Sequence, residues 1–235
     1  ALFGQFSSKY DHYLQACLAL GDKSKAEMDN CAKGIGADAE IAGAIFSEKE
    51  WDGLQLFMGE NDNNGELDPE EGAMCSACHV ADWTADPGNV IVPDWSPDGY
   101  VPPMFTDFTY DNLGVPKNPD NPFYKLPKAF NPDGKDFVDL GLGPVVEDDD
   151  ENGKFKVMTL RNIGLTGPYA HNGFFKTLGE ITHFYNTRDV DEEDWPEPEV
   201  PETINTGELG NLGLSADQEA ALVAFMMTLS DGWTE

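Results

Sequence analysis

The sequence predicts a mostly α-helical protein with long irregular connections between its helices. Four segments are predicted as helices, either because apolar side chains recur at helical spacing or because a capping sequence opens the segment. Glycine and proline are abundant, with 24 and 16 copies in 235 residues, and both residues favour turns and loops. The sequence shows no strong strand alternation and no internal repeat, so we assign it to the mostly α class.

The predicted helices follow one another along the chain. Residues 1–27 form the first, with a stop signal at Gly21. The tetrapeptide at 47–50 has serine at the cap position and glutamate three residues later, which is a capping box, and it opens the second helix. Residues 177–187 are predicted as the third. A similar capping sequence at 215–218, with glutamine in its last place, opens the final helix.

The segment 81–135 is dense in proline, glycine, aspartate and asparagine and is predicted as long irregular loops. So long a stretch is unusual inside a compact domain, and it becomes reasonable when the loops wrap a large apolar cofactor. We also expect a charged turn at 147–153 and an acidic, proline-rich surface loop at 188–202. The aromatic side chains expected to pack the long loops are Trp83, Trp95, Phe105, Phe108, Tyr110, Phe123 and Tyr124.

The chain is strongly acidic. Its 44 acidic and 14 basic residues give a formal net charge of −30. This charge repels nucleic acid and anionic lipid surfaces, so we expect neither as a partner. We attribute the acidity to a solvated surface, with steering of a basic redox partner and calcium binding as the specific alternatives.

The apolar segments do not predict membrane insertion. The longest apolar run, at 220–227, is too short to span a bilayer, and no signal peptide is visible at the start. Because the sequence opens at Ala1 rather than at methionine, we expect a processed or truncated product.

One motif carries chemistry. Cys75, Cys78 and His79 form a C-x-x-C-H sequence, which is the attachment signature of c-type haem. Cysteines at this spacing match the two vinyl groups of the porphyrin, to which they add as thioethers, and the adjacent histidine binds the iron. A zinc site would need a second pair of ligands at similar spacing, and a thioredoxin-like site a βαβ setting. The sequence fits neither, so we predict one covalent haem c.

The other two cysteines are Cys17 and Cys31. Haem c is attached outside the cytoplasm in bacteria, so we expect the protein to be periplasmic or otherwise exported. Because that compartment is oxidising, a Cys17–Cys31 disulfide is favoured over a pair of buried thiols.

Two consecutive blocks carry a resemblance to a known family. The sequence FKVMTLRNI covers 155–163, and LTGPYAHNG covers 165–173. They closely resemble blocks in the C-terminal domain of bacterial di-haem cytochrome c peroxidases and their MauG-like relatives, which read roughly F-K-V-P-T-L-R-N and L-T-x-P-Y-x-H-x-G. The similarity continues over nearly the whole chain, through segments at 8–14, 54–57, 105–108, 112–114 and 222–229.

The resemblance implies a cytochrome c-like helical domain whose irregular loops wrap a covalent haem. We predict one such domain over 1–235, with a leading helix and loop at 1–46 and the haem-binding core at 47–235. The family has two haem domains, each with its own motif, whereas this sequence has one motif. The resemblance therefore implies the electron-transfer half of a peroxidase. That half takes electrons from a small redox donor protein and passes them to a peroxidatic haem on a second domain or subunit.

Two other functions stay open. A single haem motif also suits a stand-alone mono-haem electron carrier, or a haem-based sensor whose sixth ligand exchanges. In the peroxidase assembly hydrogen peroxide is the terminal substrate, and in MauG-like members the oxidising equivalents reach a side chain of a partner protein. We expect no catalysis by this chain alone.

The resemblance also implies the iron ligands. His79 is the proximal ligand. The sixth ligand of the peroxidases is a methionine fourteen residues after the H-x-G histidine, and MauG-like proteins place a tyrosine there; here that position is Tyr185. A tyrosinate favours ferric iron and lowers the potential, whereas methionine raises it. His183, Met104 and Met158 are the alternatives.

Two residues of the diagnostic blocks are expected near the haem. His171 resembles the H-x-G histidine of the family, and we expect it to hydrogen bond in the haem pocket rather than to ligate iron. Arg161 is one of few basic residues, and its guanidinium suits pairing with a haem propionate. The alternative for Arg161 is an ordinary surface salt bridge.

Three segments are weighed as calcium sites. Family members hold calcium between their two domains, partly through backbone oxygens at positions that match Thr166 and Pro168. A shorter acidic motif lies at 148–153. A segment that resembles an EF-hand loop supplies Glu60, Asp62, Asn64, Glu66 and Glu71. Because so acidic a chain produces such matches easily, solvated turns are the alternative for both acidic segments.

Overall fold

A computed structural model describes residues 6–35, 39–61, 67–68, 72–85, 92–97 and 99–234 of the chain. Helices dominate these residues, and each sheet among them consists of two short antiparallel strands, which confirms the mostly α class. The helices are α1 Lys9–Leu18, α2 Lys25–Lys33, α3 Ala39–Ile45, α4 Glu48–Met58, α5 Gly143–Val146, α6 Leu178–Thr187 and α7 Ala216–Met227. The paired strands are β1 Glu60–Asn61 with β2 Leu67–Asp68, β3 Thr84–Ala85 with β4 Tyr100–Val101, and β5 Tyr110–Asp111 with β6 Phe155–Lys156.

The capping sequences locate the helix starts correctly. Ser47 and Ser215 precede α4 and α7. In both capping boxes the serine hydroxyl accepts from the backbone N–H of the residue three positions later, and the side chain of that residue accepts from the backbone N–H of the serine. The third predicted helix corresponds to α6. A capping box joins residues only three positions apart, so it does not depend on contacts with distant parts of the chain.

The single first helix predicted over 1–27 is wrong. The chain instead forms α1 and α2, with a turn between them in which Gly21 has φ +123°. Ser24 then opens α2 through its own capping box with Glu27. The stop at Gly21 and the new start at Ser24 therefore divide the segment that was predicted as one helix. Residues 1–5 lie outside the described residues.

The chain divides into two compact units. Unit 1 contains the described residues of 1–107, 158–166 and 214–235, and unit 2 those of 108–157 and 167–213. The single haem domain predicted over 1–235 stays a prediction. Within the part of the chain that is described, no helix has both the length and the apolar character needed to cross a membrane.

Unit 1 is built on the packing of α4 against α7. A Cβ added to Gly53 would collide with the backbone of Ala221, so only glycine permits this close approach. The rings of Tyr10, Phe57, Phe105 and Phe225 meet edge-on or tilted beside these helices, at centroid distances of 5.1 to 6.1 Å. Such arrangements suit the aromatic quadrupole, and they form the apolar centre of the unit.

Helices α1 and α2 are joined covalently and by hydrogen bonds. A disulfide links Cys17 to Cys31. The hydroxyl of Tyr10 donates to the carbonyl of Ala32 at 2.7 Å, and that of Tyr13 donates to the carbonyl of Cys31 at 2.8 Å. Two buried tyrosines therefore satisfy their polar atoms at the end of the neighbouring helix.

A buried ion pair crosses unit 1. Arg161 Nη1 lies 2.8 Å from Asp11 Oδ1, with side-chain exposures of 4% and 0%. Arg161 Nε also donates to the carbonyl of Pro103 at 2.8 Å. Asp11 accepts at the same time from the amide and hydroxyl of Ser8, so the carboxylate both caps α1 and neutralises the guanidinium.

Unit 2 is held together mainly by side chains that bond to backbone. Asn112 donates to the carbonyl of Val200 at 2.9 Å, and Arg188 donates to the carbonyls of Leu113 and Asn205. One of its aromatic clusters includes Phe175, Phe184 and Trp195. The segments at 147–153 and 188–202 contain only short 3-10 turns, at Asp149–Glu151 and Asp191–Glu193.

Replacing Asp11 by asparagine is expected to destabilise the protein by about 3–5 kcal/mol, because the buried guanidinium of Arg161 loses its counter-charge. The measurement is the free energy of unfolding in urea. Glu151→Gln is the matched control, since it breaks a partly exposed pair with Lys154 (side-chain exposures 32% and 25%) and should cost less than about 1 kcal/mol. Equal effects of the two substitutions would contradict the importance of the buried pair.

Candidate haem site

The C-x-x-C-H motif folds as a compact turn. Residues Cys75–Ala77 form a single 3-10 turn, and the amide of His79 donates to the carbonyl of Cys75 at 2.9 Å. The hydroxyl of Ser76 donates to the carbonyl of Met58, at the end of α4, at 2.8 Å. The turn therefore presents the two thiols and the imidazole from one short segment that is anchored to a core helix.

His79 is held by hydrogen bonds to the backbone of Phe105 and of Met158. Its Nδ1 lies 2.9 Å from the carbonyl oxygen of Phe105. Because a carbonyl only accepts, Nδ1 carries the proton and Nε2 keeps its lone pair. Burial lowers the pKa of His79, while the carbonyl of Phe105 and the charge of Asp107 partly oppose that shift. A neutral imidazole with a bonded Nδ1–H is the form that ligates iron.

The carbonyl of Phe105 is held in place by the TLR part of the 155–163 block. Phe105 has φ +53°, so its backbone needs support from its surroundings. The hydroxyl of Thr159 donates to the carbonyl of Met104 at 2.5 Å, and Arg161 donates to that of Pro103. The block therefore fixes the segment that orients His79.

Neither cysteine of the motif takes part in the disulfide, which uses the other pair. Burial raises the pKa of the Cys75 thiol to about 12. A thiol at this buried position is uncharged. A thioether has no proton to lose and is uncharged as well, so it is equally compatible with burial. The residues present therefore fit a covalently attached haem.

Arg161 is not the surface salt bridge that was the alternative for this residue. It is buried and pairs with Asp11, and its guanidinium lies 4.5 Å from the ring centroid of Phe6 and 5.5 Å from that of Tyr10. Its Nη2 has no hydrogen-bond partner within the described residues. Pairing with a haem propionate stays a prediction.

The predicted sixth ligands lie in different surroundings. Tyr185 is half-buried on α6, and its carbonyl accepts from Gly210 at 2.7 Å. His183 contacts Glu193, with 3.1 Å between Nε2 and Oε2. Met158 is 62% exposed, and Met104 is half-buried. The assignment of Tyr185 stays a prediction.

His171 contacts a carboxylate that the sequence analysis missed. Its ring stacks on Phe155 at a centroid distance of 3.7 Å and an interplanar angle of 5°. Its Nε2 lies 3.6 Å from Oε2 of Glu199. Glu199 carries no sequence signal, because it is one of 44 acidic residues in the chain. The role of His171 in a haem pocket stays a prediction.

The calcium predictions are only partly covered by the described residues. Thr166 is exposed and follows a 3-10 turn, and Pro168 is also exposed. In the second acidic motif, Asp148 accepts from the amide of Asp150 at 3.0 Å, so that turn is capped by its own side chain. Of the EF-hand-like segment, the backbone of Glu60 lies in β1. The positions outside the described residues are Asp62, Asn64, Glu66 and Glu71.

Asp11 and Phe105 are the other residues of the site that sequence reasoning missed. Asp11 does carry a signal, since Ser8 and Asp11 have capping-box spacing. Phe105 acts through its carbonyl, which every residue possesses, so its role has no sequence signal.

No family model matches the chain, but comparisons with individual proteins find similar ones. The sequence is 39% identical over 140 residues to the methylamine utilization protein MauG of Paracoccus denitrificans. The aligned region covers 54% of this chain and 35% of that protein. It is 26% identical over 198 residues to the cytochrome-c peroxidase IdrP2 of Denitromonas iodatirespirans. Here the aligned region covers 80% of this chain and 41% of that protein.

Solved structures extend the similarity over the described fold. A MauG-like protein associated with microbial copper homeostasis matches 97% of this chain and 53% of its own, with a TM-score of 0.54 and 24% identity. The di-haem peroxidase BthA of Burkholderia thailandensis matches 97% of this chain and 47% of its own, with a TM-score of 0.59 and 25% identity. The chain spans about half the length of these proteins or less. This chain is therefore similar to MauG and to di-haem cytochrome c peroxidases, in sequence over about half of its length and in fold over nearly all of it.

Proposed function

We propose that this chain is the c-type haem electron-transfer domain of a di-haem cytochrome c peroxidase-like protein. In this proposal it takes electrons from a small redox donor protein and passes them to a peroxidatic haem on a second domain or subunit. The observation that carries the proposal is the turn in which His79 Nδ1 is bonded to a carbonyl, so that Nε2 is left for iron. The names of the relatives support the peroxidase part.

Each residue of the motif has a role in this proposal. Cys75 and Cys78 hold the haem covalently, and His79 binds the iron with an imidazole whose orientation Phe105 fixes. When bound, the haem supplies a one-electron couple between ferric and ferrous iron. Tyr185 is proposed as the sixth ligand, and His171 as a hydrogen-bonding residue of the pocket. The Cys17–Cys31 disulfide supports a periplasmic or otherwise exported location.

The same proposal includes a bound calcium ion. Backbone oxygens of Thr166 and Pro168 supply part of its ligands, on the basis of the family resemblance alone. A stand-alone electron carrier or a haem-based sensor is the second candidate function, and the single C-x-x-C-H motif of the sequence favours it.

The first test concerns covalent attachment. The chain is produced in a host with c-type haem maturation, and its intact mass is compared with a haem-stained denaturing gel. We expect one haem per chain and a complete loss of stain in the Cys75→Ser, Cys78→Ser double variant. The matched control, Cys17→Ser with Cys31→Ser, should keep the stain. Loss of stain in the control alone would contradict the assignment of the motif.

The second test distinguishes the two candidate functions. The native assembly is examined by haem-stained denaturing gel and by native mass. A second haem-bearing polypeptide, together with peroxide turnover by the assembly but not by this chain alone, is the expected result. A single haem polypeptide at the mass of the chain or its simple multiples would favour the electron carrier instead. Turnover of peroxide by the isolated chain would contradict a purely electron-transferring role.

The third test concerns the sixth ligand. Replacing Tyr185 by methionine should raise the midpoint potential by on the order of 100 mV, because a neutral thioether stabilises ferrous iron relative to tyrosinate. The potential is measured by spectroelectrochemical titration. His183→Gln, two positions away on the same helix, is the control and should leave the potential nearly unchanged. A shift in the His183 variant alone would assign the ligand to that residue.

A further inference from the structure

Unit 2 contains a cavity of about 220 Å³ that is lined by none of the residues of the C-x-x-C-H motif. Its lining combines two carboxylates, two asparagine amides and three aromatic rings. The carboxylates belong to Glu199 and Asp139, and the rings to Phe123, Tyr124 and Phe137. A concave site with aromatic walls and a few polar groups is typical of small-molecule binding.

Glu199 is the polar centre of this cavity. Its side chain is 3% exposed. Oε2 lies 3.5 Å from Asn172 Nδ2 and 3.6 Å from His171 Nε2, which are long contacts. Oε1 is buried and has no hydrogen-bond partner of normal geometry among the described residues. Because burial of a carboxylate oxygen without a well-formed hydrogen bond is costly, a donor supplied by a ligand would stabilise Oε1.

The electrostatics of the cavity favour a positively charged ligand. Burial raises the pKa of Glu199, but the hydrogen bond and charge of His171, with Asn172 and Lys117, outweigh burial and lower it overall. Glu199 is therefore ionised. The pKa of Tyr124 is raised by burial, by the charges of Glu199 and Asp139, and by a hydrogen bond with Glu199.

A cation already lies against the aromatic wall. The ammonium of Lys117 is 5.1 Å from the ring centroid of Tyr124, and it donates to the carbonyl of Phe137 at 2.6 Å. Phe123 and Phe137 form a tilted pair at 4.7 Å. Aromatic faces of this kind attract organic cations through the ring quadrupole, and they also cover hydrocarbon.

A divalent metal ion fits the cavity less well. Within the described residues, no three ligand atoms from histidine, cysteine, aspartate or glutamate side chains converge there. The amide oxygens of Asn121 and Asn172 accept from the backbone amides of Phe123 and Phe174, both at 3.0 Å. The site therefore lacks the dense set of oxygens that calcium or magnesium takes.

We propose that the cavity binds a small primary ammonium ion. An N–H group of the ligand donates to Oε1 of Glu199, and the carboxylates of Glu199 and Asp139 balance the charge. The hydrocarbon part of the ligand lies against Phe123 and Phe137. The inference depends on residues of unit 2 alone and does not require the haem assignment.

Calorimetric titration of the haem-loaded chain tests the chemical class of the ligand. Butylammonium is the probe, and butanol, butyrate and tetramethylammonium are the comparisons. We expect saturable 1:1 binding of butylammonium and at least about tenfold weaker binding of the other three, because each lacks either the charge or the N–H donor. Equal affinity for butanol or tetramethylammonium, or no saturable binding of butylammonium, would overturn the proposal.

Substitutions then locate the site. Glu199→Gln keeps the shape but removes the charge, and it should weaken butylammonium binding at least about tenfold. Glu192→Gln, an exposed position in the same unit, is the matched control and should bind as the unmodified chain does. Thermal unfolding monitors the fold of each variant. Should Glu199→Gln fail to fold, Asp139→Asn replaces it, with an expected loss of about threefold. Unchanged affinity in the folded variant overturns the proposal.

Discussion

The hydrogen bond from His79 Nδ1 to the carbonyl of Phe105 depends on a series of contacts that ends at α1. Phe105 holds a backbone conformation that few residues adopt without support. The support comes from Thr159 and Arg161, which bond to the two carbonyls just before it. Arg161 is itself held by Asp11, which caps the first helix. The orientation of the imidazole is therefore determined far along the chain from the C-x-x-C-H motif.

This arrangement explains why a charged pair lies inside an apolar cluster. A buried ion pair contributes little net stability, because desolvation offsets the attraction between the charges. Its value here is geometric, since a guanidinium with a fixed fork of donors can bond to a carboxylate and a carbonyl at the same time. The ring of Phe105 packs against Tyr10 and Phe225 while its carbonyl faces His79. One residue thus couples the packing of unit 1 to the position of the proposed iron ligand.

The sequence predicted those features whose signals are local. The starts of α4 and α7 follow from capping boxes, and the haem motif follows from the fixed spacing of its cysteines. The helix over 1–27 failed because it was extended past the stop signal at Gly21, where the backbone breaks before Ser24 starts a new helix. Arg161 was singled out in the sequence, but its partner Asp11 is distant in sequence. Neither the carbonyl of Phe105 nor the carboxylate of Glu199 could be found, since a carbonyl has no residue type and Glu199 is one acid among many.

Unit 2 shows what a chain with few regular elements needs in order to fold. Its buried backbone groups cannot pair within long ladders, so side chains must satisfy them. Asn118 bonds to the carbonyls of Asn172 and Gly173, Asn172 bonds to that of Pro116, and Arg188 bonds to two carbonyls of other loops. Against this background, Oε1 of Glu199 stands out among the described residues of the unit as a buried side-chain oxygen without a hydrogen bond of normal geometry. In a unit that satisfies its polar groups so consistently, such an oxygen beside a cavity is better explained by a ligand than by imperfect packing.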